Sequence, residues 1–169
     1  MIKKIGLKII AILLIISCKE IDKSVYEEKT LTPKWYHETL TQVTDVIIHD
    51  ILSPPVASRV YSYVTLAGYE ALVFQSDSLR TNAGLFKDLT PFPKPESGKV
   101  YSFPISSFAA MLKVAKSQTF TLEKYDEFEK QTYKQFEEMG VPSSVLERSK
   151  EFGEKIADHV IQYAKGDNY

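Results

Sequence analysis

The residues from Val56 to about Phe74 constrain this chain more than any other stretch. Val60, Tyr61, Val64, Ala67, Gly68 and Ala71 fall on overlapping faces of one helix, which makes that helix apolar over most of its girth. A helix of this kind must be covered on several sides, so a central position is expected. Ala67, Gly68 and Ala71 are small enough to let a second helix come close. Just upstream, Ser53-Pro54-Pro55 ends one helix and opens this one, because proline lacks an N–H and suits a first helical turn.

The same period runs through most of the chain. Trp35, Leu40, Val43, Ile47 and Ile51 mark a first helix from Lys34. A third covers about Ile105 to Ser117, with Phe108, Met111, Leu112 and Ala115 apolar. A fourth spans about Leu122 to Met139, with Thr121 as N-cap and Gly140 as stop. Its stripe is Leu122, Tyr125, Phe128, Thr132, Phe136 and Met139. The fifth opens on Ser144-x-x-Glu147, a capping box, and passes through Phe152, Ile156, Val160 and Tyr163 to Gly166. No segment alternates with strand period. The expected fold class is all-α: about five helices over residues 34–169, forming part of a larger helical bundle. Residues 76–104 carry Gly84, Gly98 and four prolines, Pro91, Pro93, Pro95 and Pro104. They read as an irregular surface connection between the second and third helices, lying over a neighbouring domain.

The N-terminus is of a different kind. Lys3, Lys4 and Lys8 flank an apolar run of eight residues, Ile9 to Ile16. A bilayer span needs roughly 20 apolar residues, whereas a signal peptide core needs about this length. Ile15-Ile16-Ser17-Cys18 resembles a lipobox, and Cys18 is the chain's single cysteine. Residues 1–17 are expected to be a lipoprotein signal peptide and Cys18 the lipidated residue. Residues 18–33 would then be a flexible tether, polar and without apolar period. Lys19-Glu20 resembles part of the surface-export signal of lipoproteins from the Bacteroidetes group. The expected location is the cell envelope, lipid-anchored to the outer membrane on its periplasmic or surface face. Removal of residues 1–17 takes three lysines, leaving 18 basic against 22 acidic residues, a net charge of −4. With no basic cluster to neutralise phosphates, nucleic acid is excluded as a partner. The membrane, through the lipid, is the expected one.

Residues of chemical interest each have a structural reading that outweighs the catalytic one. His37, His49 and His159 are far apart and form no metal-binding spacing. His49-Asp50 could be a base with its orienter, but a surface pair near a helix C-terminus explains it better. His159, which follows Asp158, reads the same way. Glu70 interrupts the apolar second helix and is expected to pair with Arg59 or a lysine. Arg59 is taken as that kind of structural partner rather than an anion ligand. Glu27-Glu28 and Glu137-Glu138 are solvated faces, and Ser97-Gly98-Lys99 is a turn rather than a phosphate loop. No residue is assigned a catalytic, cofactor-binding or metal-ligating role.

Two longer runs carry a family resemblance. Ser53-Pro54-Pro55-Val56-Ala57-Ser58-Arg59-Val60-Tyr61-Ser62-Tyr63, then Ala67-Gly68-Tyr69-Glu70-Ala71-Leu72, resembles the N-terminal helical region of the vanadium-dependent haloperoxidases. These are relatives of the type 2 phosphatidic acid phosphatases. Ser149-x-x-Phe152-Gly153-x-x-Ile156-Ala157, followed by Tyr163-Ala164-x-x-Asp167-x-Tyr169, is similar in the same way. The resemblance implies a helical scaffold and, in full-length relatives, bound vanadate held by K-x₆-R-P, P-S-G-H and S-R-x₅-H. None of these motifs occurs here: Ser58-Arg59 lacks the downstream histidine, and no Arg-Pro or Gly-His pair is present. The expectation is therefore the N-terminal portion of a haloperoxidase- or phosphatase-like lipoprotein, truncated before its catalytic bundle and inactive alone. An apolar second helix would seek that missing bundle. The alternative is a non-enzymatic, lipid-anchored helical interaction module.

Overall fold

The computed structural model describes residues 22–166; the expected signal peptide, residues 1–17, and the expected lipidation site, Cys18, lie outside the described residues. Five long helices carry the fold, and no strand occurs among the described residues: α1 Lys34–His49, α2 Pro54–Leu72, α3 Phe103–Gln118, α4 Glu123–Glu138 and α5 Ser143–Lys165. The all-α expectation is met, with helix ends within a residue or two of those read from the sequence. No helix among these residues is long and apolar enough to cross a membrane.

The centre of the molecule is α3, not α2. Every residue of α3 from Pro104 to Ala115 except Lys113 is buried, and the helix packs chiefly against α5 and α2. Its two serines do not oppose burial. The Ser106 hydroxyl bonds back to the Ser102 carbonyl at 3.3 Å, and Ser107 sits 4.0 Å from the Met111 sulfur. By contrast, α2 buries Val60, Tyr63, Val64, Ala67, Gly68, Glu70 and Ala71 while Ser58 and Ser62 face outward. The apolar residues of α2 thus find their cover within this chain, and the expected unsatisfied girth is absent.

Two glycines set the helix spacing. A Cβ on Gly153 of α5 would run into the backbone carbonyl of Ser106 and approach the Ala109 Cβ to 2.9 Å. A Cβ on Gly68 of α2 would meet the Met111 side chain at 2.6 Å. The α3 N-terminus is tied to α5 where the Ser102 N–H donates to the Ser149 hydroxyl at 2.9 Å. Around this joint Phe74, Tyr101, Phe103 and Phe152 form a ring cluster with centroids 5.6–6.2 Å apart. On the other side of α3, Phe108 meets Phe128, Tyr133 and Phe136 edge-on, and Trp35 closes against Phe136 at 4.7 Å.

Several local expectations are corrected. Residues 22–33 are not a free tether: Tyr26 and Thr30 are 2% and 1% exposed, and Glu27–Thr30 makes a helical turn. Burial of the Tyr26 ring contributes about 2 kcal/mol to holding that segment on the bundle. Residues 76–102 are irregular as expected, but they cover this domain, with Leu89, Phe92 and Tyr101 buried. Thr121 and Ser144 cap nothing. α4 starts after Leu122 and α5 after Pro142, in both cases without a side-chain cap bond. Leu122, placed in the α4 stripe, is 41% exposed. Gly140 does end α4, at φ +90°.

Gly153→Ala should destabilise the protein by about 1–3 kcal/mol, because backbone cannot move out of the way. Gly68→Ala should have a smaller effect, since the Met111 side chain can change rotamer. Urea unfolding of the two variants measures the difference; equal losses would refute this account of the spacing.

Candidate functional site

A cleft of about 760 Å³ runs along the outer face of α2. Its floor is Ser58, Ser62, Thr65 and Tyr69, one residue per turn of α2; Tyr36 of α1, Phe86 of the long connection and Tyr163 of α5 form its walls. Asn82 and Arg59 also line it, and no acidic residue or histidine does.

Most polar groups here are already engaged. The Arg59 Nη2 donates to the Ala164 carbonyl at 2.8 Å, and its guanidinium lies 5.1 Å from the Tyr63 ring centroid. It therefore satisfies a carbonyl at the C-terminal end of α5, where a cation is favoured. Ser62 bonds back to the Ser58 carbonyl at 2.9 Å and Thr65 to the Tyr61 carbonyl at 2.8 Å. The Tyr69 hydroxyl donates to the Arg80 carbonyl at 2.7 Å.

Glu70 does not pair with Arg59 or a lysine. Its carboxylate is buried under the long connection and accepts from the Thr81 hydroxyl at 2.7 Å, the Asn82 N–H at 2.7 Å and the Asn82 side-chain amide at 2.9 Å. Three donors to one carboxylate fasten the start of the connection to α2.

His49 and Asp50 also prove structural, with Asp50 the working member. Its side chain is 3% exposed and sits 3.4 Å from the His49 Nδ1. It accepts from the Phe120 N–H at 2.7 Å and from the Thr121 N–H and hydroxyl at 3.3 and 2.5 Å. Burial pushes the Asp50 pKa up, but these bonds outweigh it and hold the carboxyl below its ordinary value of 3.8. Asp50 thereby fixes the turn between α3 and α4 to the end of α1. Ile51, at φ 53° just after α1, and Phe120 in the α3–α4 turn are 88% and 78% exposed.

The remaining candidates scatter. The His159 Nε2 is 3.1 Å from both the hydroxyl and the carbonyl of Thr90, and its ring lies 4.6 Å from that of Phe92. Asp158 pairs instead with Lys113 at 2.7 Å. His37 packs edge-on against its neighbour Tyr36, with ring centroids 6.4 Å apart. Glu27, Glu28, Glu137 and Glu138 are exposed, and Gly98 makes its turn at φ +73°. No group of three or more metal-ligating side chains converges among the described residues.

Comparison with known proteins now has a geometry to meet. The chain is similar to the crystal structure of a bacterial vanadium-dependent iodoperoxidase, with 30% identity over 82% of this chain and a TM-score of 0.77. It spans 33% of that protein's length. No protein-family model matches it, and no curated protein does. The fold is thus that of a haloperoxidase-like helical fragment. Ser149, Phe152 and Gly153, which carry part of the family resemblance, turn out to be the α5 contacts with α3. Vanadate requires converging cations and a ligating histidine; Arg59, His49 and His159 are held in separate places by other partners, so the described residues do not fit it.

Glu70→Gln should loosen residues 76–102, because an amide N–H₂ would face donors; limited proteolysis of that segment should speed up. For Asp50 the lowered pKa means stability present above about pH 4 and lost as pH falls through the folded-state value. Asp50→Asn should therefore be less stable than wild type at neutral pH, with the gap narrowing below pH 4 in thermal melts.

Proposed function

We propose that this chain is the scaffold portion of a lipid-anchored haloperoxidase-like protein and is catalytically inactive by itself. The observation that carries the reading is the joint one: the fold matches that of an iodoperoxidase at 30% identity, over only 33% of its length, and the sequence carries no vanadate-binding motif. On this reading the five helices support the catalytic helical bundle of a haloperoxidase-like protein. The chemistry, halide oxidation or phosphoryl transfer, would reside in that bundle, together with any vanadate site; residues 22–166 would contribute position and none of the donors.

Anchoring rests on the Ile15-Ile16-Ser17-Cys18 sequence. Acylation of Cys18 would hold the protein on a bilayer, at about 0.8 kcal/mol per buried CH₂. The closed core of α1–α5 favours a second reading, a non-enzymatic lipid-anchored interaction module, which also needs no catalytic residue.

Purified protein given vanadate, peroxide and iodide, or a phosphomonoester, should show no turnover above buffer. Activity abolished by changing one of the three histidines would overturn the first reading. In cells, radiolabelled palmitate should be incorporated and membrane partition observed, both lost in Cys18→Ala. Persistent membrane partition of Cys18→Ala would remove the anchor from the account.

A further inference from the structure

We infer that the cleft along α2 binds a neutral oligosaccharide, recognised by serine and tyrosine hydroxyls and by the aromatic rings beside them. Ser58, Tyr36 and Tyr163 line the cleft, and their hydroxyls make no hydrogen bond among the described residues. Ser58 is exposed and the two tyrosines are half-buried. Burial raises the Tyr36 pKa, so that hydroxyl keeps its proton at neutral pH and stays a donor. On the floor, the Ser62, Thr65 and Tyr69 hydroxyls give their protons to backbone carbonyls, which leaves their oxygens as acceptors. The cleft thus offers open donors and acceptors side by side.

Charge and spacing narrow the ligand. Among the described residues Arg59 is the one charged side chain in the lining, and its guanidinium is held by the Ala164 carbonyl and the Tyr63 ring. With no carboxylate or histidine, the cleft has nothing to pair with an amine, and its single cation is engaged where an acid would need it. A ligand that donates and accepts at several points without charge is a polyhydroxylated one. The open hydroxyls are also far apart. Tyr36 lies against Gly68, its Cε2 3.1 Å from where a Cβ on that glycine would stand. Gly68 is ten residues along α2 from Ser58, a rise of about 15 Å. One sugar or one phenol is too short to reach both ends, whereas a short chain of linked sugar rings does reach them. Phe86, 51% exposed, adds an aromatic wall, and the electron-rich face of such a ring attracts the polarised C–H groups of a sugar. The volume of about 760 Å³ lies within the range of ligand pockets, roughly 300–1,000 Å³.

The test is titration calorimetry of the full chain with short oligomers of glucose, galactose, mannose and xylose, with glucuronate oligomers and phenol as comparisons. Saturable binding of at least one neutral oligomer is expected, with its monosaccharide much weaker. Tyr36→Phe and Tyr163→Phe each remove one hydroxyl and keep the ring, and each should weaken binding about three- to tenfold. Ser97→Ala, in an exposed turn outside the lining, should leave it unchanged; matching melting curves for the three variants show that the fold is intact. Binding that both tyrosine variants leave unchanged overturns the cleft as the site. Preference for glucuronate overturns the neutral class, and binding of phenol but of no sugar overturns the inference in favour of an aromatic ligand. No binding of any oligomer overturns it outright.

Discussion

The close contact between α3 and α5 is what the rest of this structure depends on. Removing a side chain at Gly153 lets the backbone of α5 settle against the Ser106 carbonyl, and the Ser102–Ser149 bond fixes the register of the two helices. With that spacing set, Phe152 reaches Phe74, Tyr101 and Phe103 in one ring cluster. α2 then closes over the other side of α3 through Gly68 and Met111. A wider α3–α5 spacing would open voids along both interfaces, and interiors tolerate few of these.

Charged residues that look functional in isolation are used here as fasteners. Asp50, Glu70 and Arg59 each take a charge from one helix to polar groups of another segment, roughly 70, 11 and 105 positions away in sequence. A charge-assisted bond of this kind contributes about 1.5–3 kcal/mol. The surface pairs are weaker: Lys34–Glu38 and Lys134–Glu138 are widely exposed and worth at most about 1 kcal/mol each. Between these extremes Lys116 lies between Asp126 and Glu129 at 2.7 and 2.6 Å. Burial lowers its pKa, but the two carboxylates more than compensate and leave it raised.

A shared scaffold does not carry a shared activity. What this chain has in common with the iodoperoxidase is its helical fold. The chemistry of vanadate binding depends on a few donors brought to one point, and those donors are a separate matter from the spacing of α2, α3 and α5. Similarity of fold therefore leaves the activity to be argued from the site.

The sequence by itself determined the all-α class, the five helices and the breaks at Pro54, Gly140 and the proline-rich connection. Those features follow from residue period and from backbone chemistry, which act locally. It also exposed the lack of vanadate-binding motifs, because motifs are local patterns. Which helix is central could not be read the same way. α2 and α3 are both apolar and small-residue-rich, and only the docking of α5 through Gly153 placed α3 between its neighbours. The partners of Asp50, Glu70 and Arg59 were equally hidden, since each lies on a segment brought near by folding. The packing of Tyr26 was missed because a polar stretch with one aromatic has no period to detect. Tertiary structure alone decided these things, since burial and hydrogen bonding at distant positions depend on how the helices meet.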